Sequence, residues 1–189
     1  MSAHTNIVPG SLTAMSRQNG RSLAESFLSA DCIVIVDVSA SMSSRDARGS
    51  LSRYDVACDE LAKLQNSLPG KIAVVSFSDA PQFAPGGQPT FAGASTDLTT
   101  ALRFVYPADG TVKFVVISDG QPNDEATALA IAKTFTSKID VIHIGPETDT
   151  SGRDFMRRLA GASGGQFVTA KKAQKLAQTV QTLMLAGGN

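Results

Sequence analysis

The feature that most restricts the fold of this chain is an alternation. Four short apolar runs rich in β-branched residues, at 32–36, 71–77, 112–117 and 141–144, are each followed by apolar residues at helical spacing. The first run, Cys-Ile-Val-Ile-Val, contains no polar residue, as a strand covered on both faces requires. Tyr54, Ala57, Leu61, Leu64 and Leu68 then mark a helix that Pro69-Gly70 ends. Leu98, Ala101, Leu102 and Val105 mark a second, and Ala128, Ile131, Ala132 and Phe135 a third. A helix at 155–160, a short strand at 166–168 and a last helix through Ala173, Leu176, Ala177, Val180, Leu183 and Met184 complete the series. The proline-flanked piece at 81–83 suits only a short antiparallel edge strand. The pattern predicts a doubly wound α/β fold: a mainly parallel central sheet, helices on both faces, right-handed crossovers.

Residues 1–30 read as an N-terminal arm, because Gly, Ser, Asn and Pro punctuate its first part and apolar residues are sparse. Leu23, Phe27 and Leu28 give its end one apolar side and a possible short helix. Residues 31–189 form the domain. With 42% hydrophobic and 18% charged residues, the chain can bury a core. Its 17 basic residues balance 17 acidic ones, so no general electrostatic pull draws it to nucleic acid or to an anionic membrane. Binding must therefore come from a local site. The first 20 residues lack the apolar centre of a secretion signal, and the run at 32–36 is far too short to span a bilayer. Cys32 and Cys58 have no CxxC spacing and read as buried free thiols, so a reducing cytoplasm is the expected location.

In such a fold, ligands bind beyond the carboxyl ends of the strands, where the winding direction reverses. Three polar clusters fall there. The first strand runs into Asp37-Val38-Ser39-Ala40-Ser41-Met42. In an extended segment this alternation puts a carboxylate and two hydroxyls on one side, half of a hard-cation site. A later strand ends in Ser118-Asp119-Gly120, and a loop carrying Ser95-Thr96-Asp97 feeds the helix that starts at Leu98. Each cluster alone also has a plain reading. Asp37, Ser39 and Ser41 suit a turn or a helix cap; Ser95, Thr96 or Asp97 is each a possible N-cap; Asp119 before glycine is a turn residue. Asp124 reads as an N-cap with Glu125 behind it, the loop 45–48 as a solvated loop, and His143, inside an apolar strand, as a satisfied core residue.

Taken together, Asp37-x-Ser39-x-Ser41, Thr96 followed by Leu98 and Ala101-Leu102, and Asp119-Gly120 resemble the metal-ion-dependent adhesion site of von Willebrand factor A domains. The resemblance covers about residues 31–186, with all five site positions in order. It implies that Ser39 and Ser41 coordinate a cation directly and that Asp37 acts mainly through bound water. Thr96 and Asp119 exchange direct and water-mediated roles. The implied ion is Mg²⁺, or Mn²⁺ or Ca²⁺. Two carboxylates and three hydroxyls leave the shell incomplete, so an Asp or Glu of a protein partner completes it. The expected function is a non-catalytic, cation-dependent protein-binding module, a subunit or adaptor of a larger assembly. No nucleophile–base pair stands out, and the chain has only 2 His, which argues against an enzyme. One alternative is a structural assembly subunit whose metal plays no part in recognition. The other is a Mg²⁺-dependent phosphohydrolase, which wants a second acid where Ser39 stands. On this reading Ser41→Ala weakens metal binding with little effect on the fold. Asp119→Ala raises metal-free stability slightly by relieving repulsion with Asp37.

Overall fold

A computed structural model describes residues 7–46, 50–146 and 148–169. Six strands, β1 (Cys32–Asp37), β2 (Ile72–Phe77), β3 (Pro81–Phe83), β4 (Lys113–Ser118), β5 (Ile139–His143) and β6 (Phe167–Thr169), form one sheet in the order β3-β2-β1-β4-β5-β6. Every neighbouring pair is parallel except β2 and β3, so the proline-flanked piece is the antiparallel edge that its sequence requires. The helices are α1 (Leu12–Asn19), α2 (Leu23–Leu28), α3 (Arg53–Ser67), α4 (Leu98–Val105), α5 (Glu125–Ala132) and α6 (Thr150–Ser163).

The side chains of β1 divide the core. Cys32, Val34 and Val36 pack with Ala57, Leu61 and Leu64 of α3 on one face. Ile33 and Ile35 belong to the other cluster, with Leu98 and Leu102 of α4, Ala128 of α5 and Phe155 and Leu159 of α6. Each fully buried Leu, Ile or Phe contributes about 1.5–3 kcal/mol, so these two layers, rather than the sheet's rims, carry the stability. The chain winds outward from β1 to β2 and β3, then returns past β1 to β4, β5 and β6. The reversal lies between β1 and β4, where Val36 pairs with Ile117 and the next residues, Asp37 and Ser118, emerge side by side. Side-chain carboxylates cap the helices that follow: Asp97 for α4, Asp124 for α5 and Asp149 for α6.

From Ile7 onward, the segment expected to be an arm lies against the domain. Leu12 is only 1% exposed and belongs to the core. The Val8 and Thr13 amides donate to the Gly86 and Pro85 carbonyls, and the Gly70 amide donates to that of Gly10. One deep leucine and main-chain hydrogen bonds do what an apolar stripe does elsewhere, which is why sparse hydrophobicity gave no sign of it. The expected last helix lies outside the described residues. Both cysteines are free; Cys32 is buried and Cys58 half-buried. Burial pushes the Cys32 thiol up to about 12, so it behaves as a small apolar side chain. Among the described residues no helix is long and apolar enough to cross a membrane.

Candidate metal centre

Asp37 ends β1 and is fully buried. One carboxylate oxygen, Oδ1, accepts the Ser39 amide at 2.9 Å; the other, Oδ2, accepts the Ser118 hydroxyl at 2.6 Å. Ser118 Oγ in turn accepts the Gly120 amide at 3.0 Å, so one hydroxyl ties the ends of β1 and β4 together. The hydroxyls of Ser39 and Ser41 stand 3.2 Å apart. The expectation that they share a side holds, but not through an extended chain. A 3₁₀ turn over Ala40–Ser43, anchored by the wholly buried Met42, brings Ser41 back to Ser39.

The loop carrying Thr96 is stitched to this rim on three sides. The Ala40 amide donates to the Ala94 carbonyl at 3.1 Å, and the Ala92 and Gly93 amides donate to the Val38 carbonyl. The Asp97 amide donates to the Ser78 carbonyl, just past β2, at 2.7 Å. Beyond β4, the Asn123 amide donates to the Thr96 carbonyl at 3.0 Å, while the Thr96 amide donates to Asn123 Oδ1 at 3.2 Å. Capping of α4 falls to Asp97, whose carboxylate accepts the Thr100 amide at 2.9 Å and its hydroxyl at 2.6 Å. Thr96 is therefore free of that duty, and it is buried.

Asp119 is completely buried. Its main chain is set by close backbone packing against the first turn of α6. A Cβ added at Gly152 would lie 2.2 Å from the Asp119 carbonyl oxygen, and one added at Gly120 (φ +86°) would lie 2.3 Å from that of Gly152. Only two glycines permit that approach. The same Asp119 carbonyl oxygen is 3.1 Å from His143 Nε2. His143 thus supports the site through the backbone, and burial lowers its pKa and favours the neutral ring. Of the Asp119 carboxylate, Oδ2 accepts Arg53 Nη1 at 2.8 Å, whereas Oδ1 is buried with no hydrogen-bond partner.

Arg53 is the functional residue that sequence reasoning missed. It is the first residue of α3, and its guanidinium also donates from Nε and Nη2 to the two carboxylate oxygens of Asp46, at 2.7 and 2.6 Å. Asp46 belongs to the loop read as merely solvated, and Arg53 beside it holds its carboxyl below the usual range. A signal did exist. A cation in the first turn of a helix opposes the positive end of the helix dipole, so an arginine there needs a local carboxylate to justify it.

Electrostatically the rim is short of positive charge. Burial pushes the Asp37 carboxyl up to about 6 against the opposing hydrogen bonds from Ser118 and Ser39, and the nearby Asp119 adds to the rise. Three carboxylates, Asp37, Asp46 and Asp119, face one guanidinium. A buried carboxylate oxygen without a donor, two adjoining hydroxyls and this charge imbalance fit a hard divalent cation. No group of three or more His, Cys, Asp or Glu suited to a metal occurs among the described residues, so a cation held here would depend on hydroxyl oxygens as well.

No protein-family model and no curated protein matches the sequence. Solved structures do match. An aerotolerance-related membrane protein of Bacteroides fragilis, carrying multiple mutations to serines, superimposes with a TM-score of 0.69 at 14% identity, over 83% of this chain and 99% of that one. BatB of Bacteroides thetaiotaomicron gives 0.58 at 15% identity, over 84% and 100%. The manganese-loaded TRAP protein of Plasmodium vivax gives 0.54 at 16% identity, over 76% and 70%. The fold is von Willebrand A-like. At these identities the shared feature is the architecture, and a von Willebrand A-like sheet puts Asp37, Asp119 and the Thr96 loop on the same rim.

Proposed function

We propose that this chain is a non-catalytic protein-binding module. It holds one divalent cation, Mg²⁺ with Mn²⁺ or Ca²⁺ as substitutes, at the carboxyl rim of the sheet, and takes up an Asp or Glu side chain of a partner. Ser39, Ser41 and Thr96 would give neutral oxygens, Asp119 a charged one, and Asp37 would orient the shell through water. When bound, the cation supplies a positive point with a coordination position left for an outside carboxylate.

The observation that carries this reading is Asp119 Oδ1, a buried carboxylate oxygen without a donor beside a pair of touching hydroxyls. Leaving such an oxygen unpaired is costly, and a cation would remove that cost. The manganese in the TRAP structure supports the choice of ion class, and the B. fragilis relative, a membrane protein, suits a module that works within a larger assembly. The test is a pull-down from native extract with the tagged chain in Mg²⁺ and, in parallel, in EDTA, with Ser39→Ala as control. The proposal expects partners retained only by the unaltered chain in Mg²⁺. Retention that survives both EDTA and Ser39→Ala would instead favour a structural subunit whose rim plays no part in recognition.

A further inference from the structure

Arg53 does something that the five expected site residues do not explain. Its side chain is 8% exposed and reaches from the rim's interior to its outer edge: Nη1 lies 2.8 Å from Asp119 Oδ2, and Nε and Nη2 grip Asp46, whose side chain is 39% exposed. The residue sits where the dipole of α3 disfavours a cation, and its long side chain is held in one geometry by two carboxylates on different segments. Two partners for one guanidinium, one buried and one open to solvent, make a group that can let go of the first and remain held by the second.

We infer that Arg53 is a built-in counter-ion for Asp119, and that it sets how tightly the rim holds its divalent cation by competing for the same carboxylate. The inference rests on the metal reading proposed above and adds its regulation. Without a metal, Arg53 relieves the repulsion between the buried Asp119 and Asp37, so the rim folds around a side-chain cation. A divalent ion seated beside Asp119 repels the guanidinium and shares its acceptor, and Asp46 keeps Arg53 ordered when that contact loosens. The metal-free form is thereby stabilised, and metal affinity is held below what the oxygens alone would give. A chain lacking the guanidinium has only the metal to neutralise Asp119.

The test is titration of the full chain with Mn²⁺, read by the electron paramagnetic resonance of the free ion, for the unaltered protein, Arg53→Met and Arg53→Lys. Melting curves are recorded for each in EDTA and in excess Mn²⁺. Arg53→Met is expected to bind Mn²⁺ about tenfold more tightly, a common size of coupling between two ligands. It should melt lower in EDTA and gain more on adding Mn²⁺ than the unaltered chain does. Arg53→Lys, which keeps the charge but cannot span both carboxylates, should fall between. If the unaltered chain binds Mn²⁺ and Arg53→Met binds it equally or more weakly, the counter-ion role is wrong and the metal site stands. If neither binds, both are wrong. Should Arg53→Met fail to fold, Arg53→Lys decides: affinity no tighter than that of the unaltered chain overturns the inference.

Discussion

The two rims of the sheet carry similar numbers of acidic side chains and treat them in opposite ways. At the amino rim, the Asp109 carboxylate accepts the Thr136 amide and hydroxyl at 2.8 and 2.7 Å and the Ser137 amide at 2.8 Å, near the surface. Lys71 pairs with Asp31 at 3.1 Å, with both side chains about half exposed. These groups are either fully partnered or wet. At the carboxyl rim, Asp37 and Asp119 are wholly buried, and one Asp119 oxygen has no partner. The neutral amide oxygen of Gln65 is also buried without a partner, but it carries no charge, and its own NH₂ group is satisfied by the Gly87 and Leu61 carbonyls. The amino rim therefore reads as structure, and the carboxyl rim as a place where folding leaves charge to be used.

Substitutions can break that contrast. The largest effect is expected for Asp119→Ala, which leaves Arg53 buried with Asp46 as its remaining partner in this cluster. Urea denaturation in EDTA should show a loss on the order of 3 kcal/mol. This reverses the slight stabilisation expected from sequence, because Arg53, invisible at that stage, already offsets the repulsion between the two carboxylates. Gly152→Ala comes next. Its methyl group would meet the Asp119 carbonyl oxygen, and the expected cost is about 1–3 kcal/mol, with weaker Mn²⁺ binding as the rim shifts. At the amino rim, Asp109→Asn should cost less than about 1 kcal/mol, since its hydrogen bonds are partly screened by water. Partial burial pushes the Asp109 carboxyl up, but its hydrogen bonds outweigh that and hold it at about 2, below the ordinary 3.8. The contribution is therefore fully present above pH 3.8 and disappears as the pH falls through about 2. Melting curves over that window should converge for the unaltered chain and Asp109→Asn. The smallest effect is expected for Lys71→Ala, within about 0.5 kcal/mol, since it removes only an exposed ion pair.

How much was legible follows from what each part depends on. The strands and the doubly wound order were readable because burial on both faces demands unbroken apolar runs, as in Cys32 to Val36 and Phe114 to Ile117. Asp37, Ser39, Ser41, Thr96 and Asp119 were nameable because they sit at strand ends or in a loop feeding a helix, where local pattern predicts position. The structure places Asp37 and Ser39 in contact, Ser39 beside Ser41, and Asp119 one residue beyond the Ser118 that bonds Asp37. Arg53 escaped notice because its meaning lies 66 positions away, at Asp119, and no periodicity records such a pairing. The folded N-terminal segment escaped because Leu12 alone anchors its first helix.

The central claim is that a divalent ion sits among the oxygens of the carboxyl rim. Crystals of the chain soaked in Mn²⁺, with anomalous data collected at the manganese edge, test it most directly. The account predicts one strong peak about 2.1 Å from the hydroxyl oxygens of Ser39 and Ser41 and within reach of Asp119, absent from Ser39→Ala crystals soaked in the same way. An ordered rim with no peak there, or manganese bound only elsewhere on the surface, would contradict it.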